Sequence, residues 1–436
     1  MESVNQMLSG VVVPLLLAAA GLYFLCAVGW QIAGHPRRAL YGMLGAGTGQ
    51  GTSPLRALSV ALAGTLGVGN IAGVASAIAL GGAGAVFWMW ISALLAMLLK
   101  YAEIVLAVRY RIFDAVGTPH GGAMYYIRAI FHGRLGYALA AAFAVLCLAL
   151  ALTLGGVVQT HAAAEVLEGV FCVPRLAVGA VFAVLAAWTL WRGAARVEAT
   201  CARLVPLVCL LFSVASLAVL VARRAALPAA FSSIFADAFT VQSGAAGVFG
   251  FFTSRALRFG VARGLVSNEA GCGTAPIAHA AAEVKSPAQQ GFWGIFEVFV
   301  DTVLLCTMTA LVILVSGVPI TDGGVMLAVS AYASVLGRVA APMLALSITF
   351  FAFATVLCWS HYGGECLAYL AGKRAAARYL IPVMALAVLG GALAAPDLVW
   401  GTTDLVIGAM TVLNLAALLA ARRTVVSQTR CFFEAK

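Results

Sequence analysis

The sequence predicts an all-α integral membrane protein, and three observations predict it. Hydrophobic residues make up 63% of the 436-residue chain and charged residues only 10%, with a mean hydropathy of +1.03. Soluble globular proteins carry about 25% charged residues. From Ala57 to Leu99 there is no Asp, Glu, Lys or Arg, a run long enough for two helices of about 20 residues each. The apolar runs are also continuous, whereas the strands of a membrane β-barrel alternate polar with apolar residues.

Eleven hydrophobic segments fall at 10–33, 57–80, 85–108, 136–159, 176–193, 204–222, 244–283, 290–316, 340–371, 377–395 and 403–421. The first is read as a mature helix and not a signal peptide, because the preceding MESVNQ lacks the Lys or Arg of a positive n-region. An odd number of spans puts the termini on opposite sides. With the N-terminus outside, eighteen basic residues fall on the cytoplasmic side, among them Arg37, Arg38, Arg109, Arg111, Lys373 and Arg374, against four outside, Arg175, Arg223, Arg224 and Arg338. That is the positive-inside bias of a membrane protein. The net charge of +10 therefore records topology and no nucleic-acid partner is expected. The expected partner surface is membrane lipid, and the expected location a bacterial plasma (inner) membrane with the C-terminus cytoplasmic. Ten cysteines show no CxxC and no ligand spacing, so they are read as small core or lipid-facing residues.

Residues 64–78 read GTLGVGNIAGVASAI, with Gly64, Gly67, Gly69 and Gly73 inside a segment apolar enough to span. Each helical glycine costs about 1 kcal/mol relative to alanine. GNIAGVASAI at 69–78 is echoed by SNEAGCGTAPI at 267–277, both framed as Asn-x-Ala-Gly. With 10–33 set aside as an additional helix, each copy opens a block of five segments, 57–222 and 244–421, within one transmembrane domain spanning 1–436. Five spans is odd, so the second block enters the membrane in the opposite sense. The chain is thus expected to be a 5+5 inverted repeat with two discontinuous helices, whose unwound backbone near the bilayer midplane binds substrate and coupling ion. Tight small-xxx-small helix packing would explain one such motif but not two matched copies.

The stretches at 67–111, 260–284, 292–313 and 351–372, including GVGNIAGVASAIALGGAGAVFWMWI, GLVSNEAGCGTAPIAH and FAFATVLCWSHYGGE, resemble the alanine or glycine:cation symporters, whose core is similar to the leucine-transporter fold. The resemblance implies a symporter that imports a small neutral amino acid with sodium and needs no other cofactor. It implies unwound segments at Gly69, Asn70, Ile71, Ala72 and Gly73, and at Ser267, Asn268, Glu269, Ala270, Gly271, Cys272, Gly273 and Thr274. These would cradle the amino acid, with Gln159 and Trp359 as further pocket walls. It implies a sodium ion on carbonyls of Gly69, Ala72 and Phe351 and the hydroxyl of Thr355. Three positions depart from the family pattern. Ala354 stands where a hydroxyl is expected, which keeps the proton as alternative coupling ion. An additional glycine precedes Glu365 in His361-Tyr362-Gly363-Gly364-Glu365, and Thr160-His161 follows Gln159.

Other ionisable groups fall inside the segments. Glu297 and Asp301 are four apart, and acids within a membrane are functional candidates by default. Lys100 and Glu103, three apart, are expected to pair. Arg263 is a candidate partner of Glu269, and His161, His279 and His361 are candidate proton relays weighed against a satisfied core role. A membrane-embedded hydrolase or transferase would need a pair such as Ser267 with His279, twelve residues apart, with no GxSxG or HExxH beside it. A pore of symmetric subunits fits the internal repeat poorly, and no Walker motif accompanies it. The chain is read as a carrier and not an enzyme.

Overall fold

The computed structural model describes residues 12–45, 52–239, 255–320, 323–394 and 396–434. Helices dominate them. Helix α1 (Val13–Gly34) is followed by a short α2 (Pro36–Leu44). A bent pair, α3 (Pro54–Thr65) and α4 (Ala72–Gly81), comes next, then α5 (Gly84–Arg109). A two-stranded antiparallel hairpin, β1 (Ile112–Phe113) and β2 (Pro119–His120), leads into α6 (Ala123–Phe131). Helices α7 (Gly133–Phe171), α8 (Arg175–Trp191), α9 (Ala194–Ala222) and α10 (Leu227–Ala238) complete the first half.

The second half opens with α11 (Arg255–Asn268) and the five-residue α12 (Ala275–His279). It continues with α13 (Pro287–Ser316), α14 (Val325–Leu336), α15 (Ala340–Ala371), α16 (Lys373–Leu393), α17 (Pro396–Ala420) and α18 (Arg422–Glu434). Among the described residues seven helices are long and apolar enough to cross a membrane, or nine if each bent pair is one span. The segment at 244–283 begins at residues that lie outside the described ones. The helices α2, α6, α10, α14 and α18 and the hairpin, absent from the hydropathy pattern, are shorter or more polar than the spans.

The interruption near residue 67 is real: α3 and the segment Val68–Gly81 are bent by 63°. Ser53 caps α3, its hydroxyl accepting from the Arg56 amide at 3.3 Å, with Pro54 in the first turn. Helix α5 is buried along most of its length and packs against α11 and α13. Small residues permit that approach. A side chain at Gly260 would place its Cβ 2.3 Å from the Ala85 carbonyl oxygen, and one at Gly264 would place it 2.5 Å from the Ser92 hydroxyl. The hairpin is tied to the α15–α16 junction. His120 Nδ1 meets Glu365 Oε2 at 2.9 Å, and the Lys373 ammonium donates to Asp114.

Two predictions follow from this packing. Gly260→Leu drives a side chain into the α5 backbone and should cost about 1–3 kcal/mol or prevent folding. A thermal unfolding midpoint in detergent equal to that of the unmodified chain would refute the close approach. The hydrogen bond that His120 donates to the Glu365 carboxylate raises the His120 pKa above its ordinary value. A raised pKa stabilises the fold below the unfolded value and loses that contribution as pH rises through the folded one. His120→Ala should therefore lower the midpoint at about pH 6 and leave it nearly unchanged at about pH 9; equal effects at both would remove the proton from the contact.

Candidate functional site

Between Leu66 and Ile71 the backbone of the first broken helix leaves helical geometry, with a short 3-10 turn at Val68–Asn70. One freed group finds its partner on another helix, while the Gly67, Asn70 and Ile71 amides bond within the segment. The Val68 amide donates to Gln159 Oε1 at 3.3 Å. The Gly67 Cα also lies close to Thr355: a Cβ there would sit 3.1 Å from the Thr355 hydroxyl, which itself donates to the Phe351 carbonyl at 3.0 Å. Gln159, Phe351 and Thr355 are therefore all at the first break.

The second break, 269–274, turns through Glu269, Gly271 and Gly273 at φ of 51°, 86° and 80°. At Gly271 and Gly273 this is the left-handed region that glycine adopts without strain. A polar cluster closes the loop. The Gly273 amide donates to Glu103 Oε1 at 3.0 Å, and the Asn414 amide group donates to Glu103 Oε1 and, at 2.8 Å, to the Gly271 carbonyl. Tyr126 in turn donates to Asn414 Oδ1. Asn268 Oδ1 accepts from the Ala270 amide, Thr274 donates to Glu269 at 2.7 Å, and Cys272 Sγ lies 3.4 Å from the Thr411 hydroxyl.

Asp301 joins the two breaks. Its Oδ1 accepts from Asn70 Nδ2 at 2.7 Å, and its Oδ2 accepts from the hydroxyls of Ser267 at 2.9 Å and Thr302 at 2.7 Å. Asn70 Nδ2 also reaches the Asp301 carbonyl at 3.1 Å, and Asn268 Nδ2 the Thr302 hydroxyl at 3.3 Å. Asp301 is completely buried, yet none of the ion pairs among the described residues involves it. The Asn70 Oδ1 atom is buried without a hydrogen-bond partner. Asp301 lies in a π-helical turn of α13, Phe299–Cys306, and a second such turn, Ala151–Val158, immediately precedes Gln159 in α7. Wide turns of this kind are frequent at functional sites.

A cavity of about 390 Å³ adjoins the first break. Gly69, Ala72, Gly73 and Ser76 form one wall, His161 and Glu165 of α7 another, and it reaches Arg263 and the segment 323–326 before and at the start of α14. Nothing lies within 4 Å of where a Cβ on Gly69 or Gly73 would be. None of residues 267–274 lines this cavity, and neither does Trp359, which packs its ring on Gly155 and edge-on against Tyr362. Ile71 is buried in the core. Hydrogen bonds hold the start of the first broken helix against α9 and the end of the second. Thr52 donates to Glu198 at 2.9 Å, its carbonyl accepts from the Glu283 amide at 2.9 Å, and Arg111 donates to the carbonyls of Ala280 at 3.0 Å and Ala282 at 2.6 Å.

Two expectations change. Lys100 pairs with Glu297 at 3.3 Å and not with Glu103, which serves the second break; the partner on α13 lies closer than the neighbour on the same helix. Glu297 and Asp301 serve different clusters because the π turn starts between them. Ser267 and His279 do not meet: His279 lies between Glu297, at 3.0 Å, and Gln290, at 2.7 Å. Asn414 and Tyr126 were not singled out in the sequence, although a lone Asn within the apolar run TVLNLAALLA carries the signal of an intramembrane polar group.

A sequence profile of the sodium:alanine symporter family matches residues 1–436. The sodium/alanine symporter AgcS of Methanococcus maripaludis is 39% identical over 388 residues, covering 88% of this chain and 84% of that protein. A transporter of Haemophilus influenzae, described as uncharacterized, is 35% identical over 439 residues, covering 100% of this chain and 96% of its own. Among solved structures, MhsT in complex with L-phenylalanine has the same fold, with a TM-score of 0.58 at 14% identity over 85% of this chain and 89% of that one.

The clamp on the second break generates a prediction. Asn414→Ala leaves the Gly271 carbonyl and one Glu103 oxygen short of a buried donor and should cost about 1–3 kcal/mol. A thermal unfolding midpoint that does not move would show that the clamp carries no stability.

Proposed function

We propose, for a chain that belongs to the sodium:alanine symporter family, that it imports a small neutral amino acid, alanine or glycine, together with sodium. Family and relatives are amino-acid and cation carriers, not enzymes. The observation that carries the reading is Asp301: a buried carboxylate at the junction of two broken helices with hydroxyl and amide partners but no ion pair among the described residues. An uncompensated charge is costly inside a membrane. A cation bound there would compensate it, using Asp301, the unpartnered Asn70 Oδ1 and the hydroxyls of Ser267 and Thr302, all hard oxygen donors.

A second place for sodium is the one the family pattern suggests, with the carbonyls of Gly69, Ala72 and Phe351 and the Thr355 hydroxyl. Thr355 and Phe351 already lie together at the first break, in support of that set. The amino acid would enter the cavity and rest against the open backbone at Gly69 and Gly73, its carboxylate toward freed amides. Its ammonium would find carbonyls of the unwound strands, with Ser267 to Thr274 as the second wall once the cavity contracts. The two five-span blocks, 57–222 and 244–421, would act as the inverted repeat that alternates access. The basic side, with the closed end at Thr52, would face the cytoplasm, so the cavity opens outward.

Proton coupling is the second reading, favoured by one fact: a buried carboxylate such as Asp301 can be compensated by a proton as well as by sodium, and Ala354 supplies no hydroxyl. Uptake of radiolabelled alanine into proteoliposomes under an inward sodium gradient, and separately under a proton gradient, decides between them. Accumulation is expected with sodium alone. Asp301→Asn should lower sodium-driven uptake more than about 100-fold, as loss of a buried charge partner does. Thr355→Ala should raise the sodium concentration for half-maximal uptake roughly tenfold. Accumulation with protons alone would overturn sodium as the driver, and accumulation under neither gradient would overturn the substrate.

A further inference from the structure

Away from the transport path, α8, α9 and α15 leave a groove of about 620 Å³. Its walls include Val181, Leu185, Leu207 and Phe350, all exposed on the bundle surface. One end is different. Arg196, Thr200 and Arg203 follow one another at helical spacing along a single face of α9 and line that end. Trp188 completes it, with the Arg196 guanidinium 4.8 Å and the Arg192 guanidinium 5.6 Å from its ring centroid. Among the described residues neither Arg196 nor Arg203 forms an ion pair, and the nearest acid on their helix, Glu198, is bonded to Thr52.

The length of α9 sets the depth of these groups. Its 29 residues rise about 43 Å, beyond the roughly 30 Å of a hydrocarbon core. The residues after Arg203 up to Ala222 carry no charge, and Arg223 and Arg224 follow. When that uncharged stretch fills the core, Arg196 and Arg203 lie at headgroup level on the basic side, while Leu207 and Phe350 lie among the acyl chains.

We propose that this groove is a binding site for an anionic phospholipid of the cytoplasmic leaflet. Its phosphate meets Arg196 and Arg203, Thr200 donates to it, and one acyl chain lies along Leu185, Leu207 and Phe350. Charge complementarity selects the occupant. No Asp or Glu lines the groove, so the ammonium of a zwitterionic headgroup finds no partner there, whereas a net negative headgroup leaves nothing unpaired. The bound lipid braces the outer side of α15 at Phe350 and Phe353, which flank the Phe351 whose carbonyl takes the Thr355 hydroxyl. The inference is independent of which solute is carried.

Native mass spectrometry of the purified full-length protein, titrated with phosphatidylglycerol or with phosphatidylcholine of the same chains, tests it. The unmodified protein should retain one phosphatidylglycerol roughly tenfold better than phosphatidylcholine. Arg196→Gln with Arg203→Gln should bring the two near parity. Leu207→Trp, which fills the acyl end and leaves both arginines, should also lower phosphatidylglycerol retention, and it keeps the test decisive if the double variant fails to fold. Equal retention of the two lipids by the unmodified protein, a preference unchanged in the double arginine variant, or phosphatidylglycerol retention unchanged in Leu207→Trp, would overturn the site.

Discussion

The buried Asp301 carboxylate, shared between Asn70 and Ser267, is the constraint on which the rest of the bundle depends. Two interrupted helices inside a bilayer expose amides and carbonyls that need partners, from the protein or from what it binds. Asp301 joins both interruptions at once through side chains, Asn70 in the first and Ser267 beside the second, from a third helix that is itself widened by a π turn at that level. The geometry follows from this single junction. α13 has to run between the two breaks, α5 has to pack closely on α11 to bring the second break inward, and small residues such as Gly260 and Gly264 have to line that contact.

The two breaks solve the same problem differently. The second is satisfied from within: Glu103 and Asn414 take its amide and carbonyl groups, and the chain of Lys100, Glu297, His279 and Gln290 fixes α5, α12 and α13 beneath it. Buried charges of this kind are tolerated because they are mutually paired and hydrogen-bonded, and removing one member leaves the others exposed to the full desolvation cost. The first break keeps open space beside Gly69 and Gly73. A clamped break next to an open one gives a rigid reference against which a solute can be measured.

Long spans are legible in the sequence because hydropathy is a one-dimensional property: 340–371 coincides with α15, and 85–108 differs from α5 by one residue at each end, while the described residues hold seven to nine candidate spans against the eleven segments read. The first break was legible because glycine inside an apolar run is a local anomaly, and the second because the same frame recurs near residue 268. Their partners were not. Asn70 reaches Asp301 across 231 positions and Asn414 reaches Glu103 across 311, and no local pattern encodes such pairings. Lys100 shows the limit: spacing along α5 offered Glu103, and packing supplied Glu297. Trp359, expected as a pocket wall from the family resemblance, lies instead against Gly155, since the glycine leaves a hollow on α7 that a ring of that size fills. Short amphipathic elements such as α2 and α18 escaped because they do not span.

The closed end bears on how such a carrier changes state. It is held by a handful of hydrogen bonds, from Thr52 to Glu198 and Glu283 and from Arg111 to the carbonyls that end α12. They join the start of the first broken helix, the end of the second, α9 and the hairpin. A hydrogen bond of this kind contributes about 0.5–1.5 kcal/mol net, so four of them together amount to a few kcal/mol. That is the range in which a minor conformation stays populated and a ligand's differential affinity can invert the balance. A stronger seal would trap the carrier with its cavity open on one side only. A weaker one would open both ends together and let the ion gradient run down without its cargo. The same bonds tie both broken helices to the closed end, and the two meet again at Asp301.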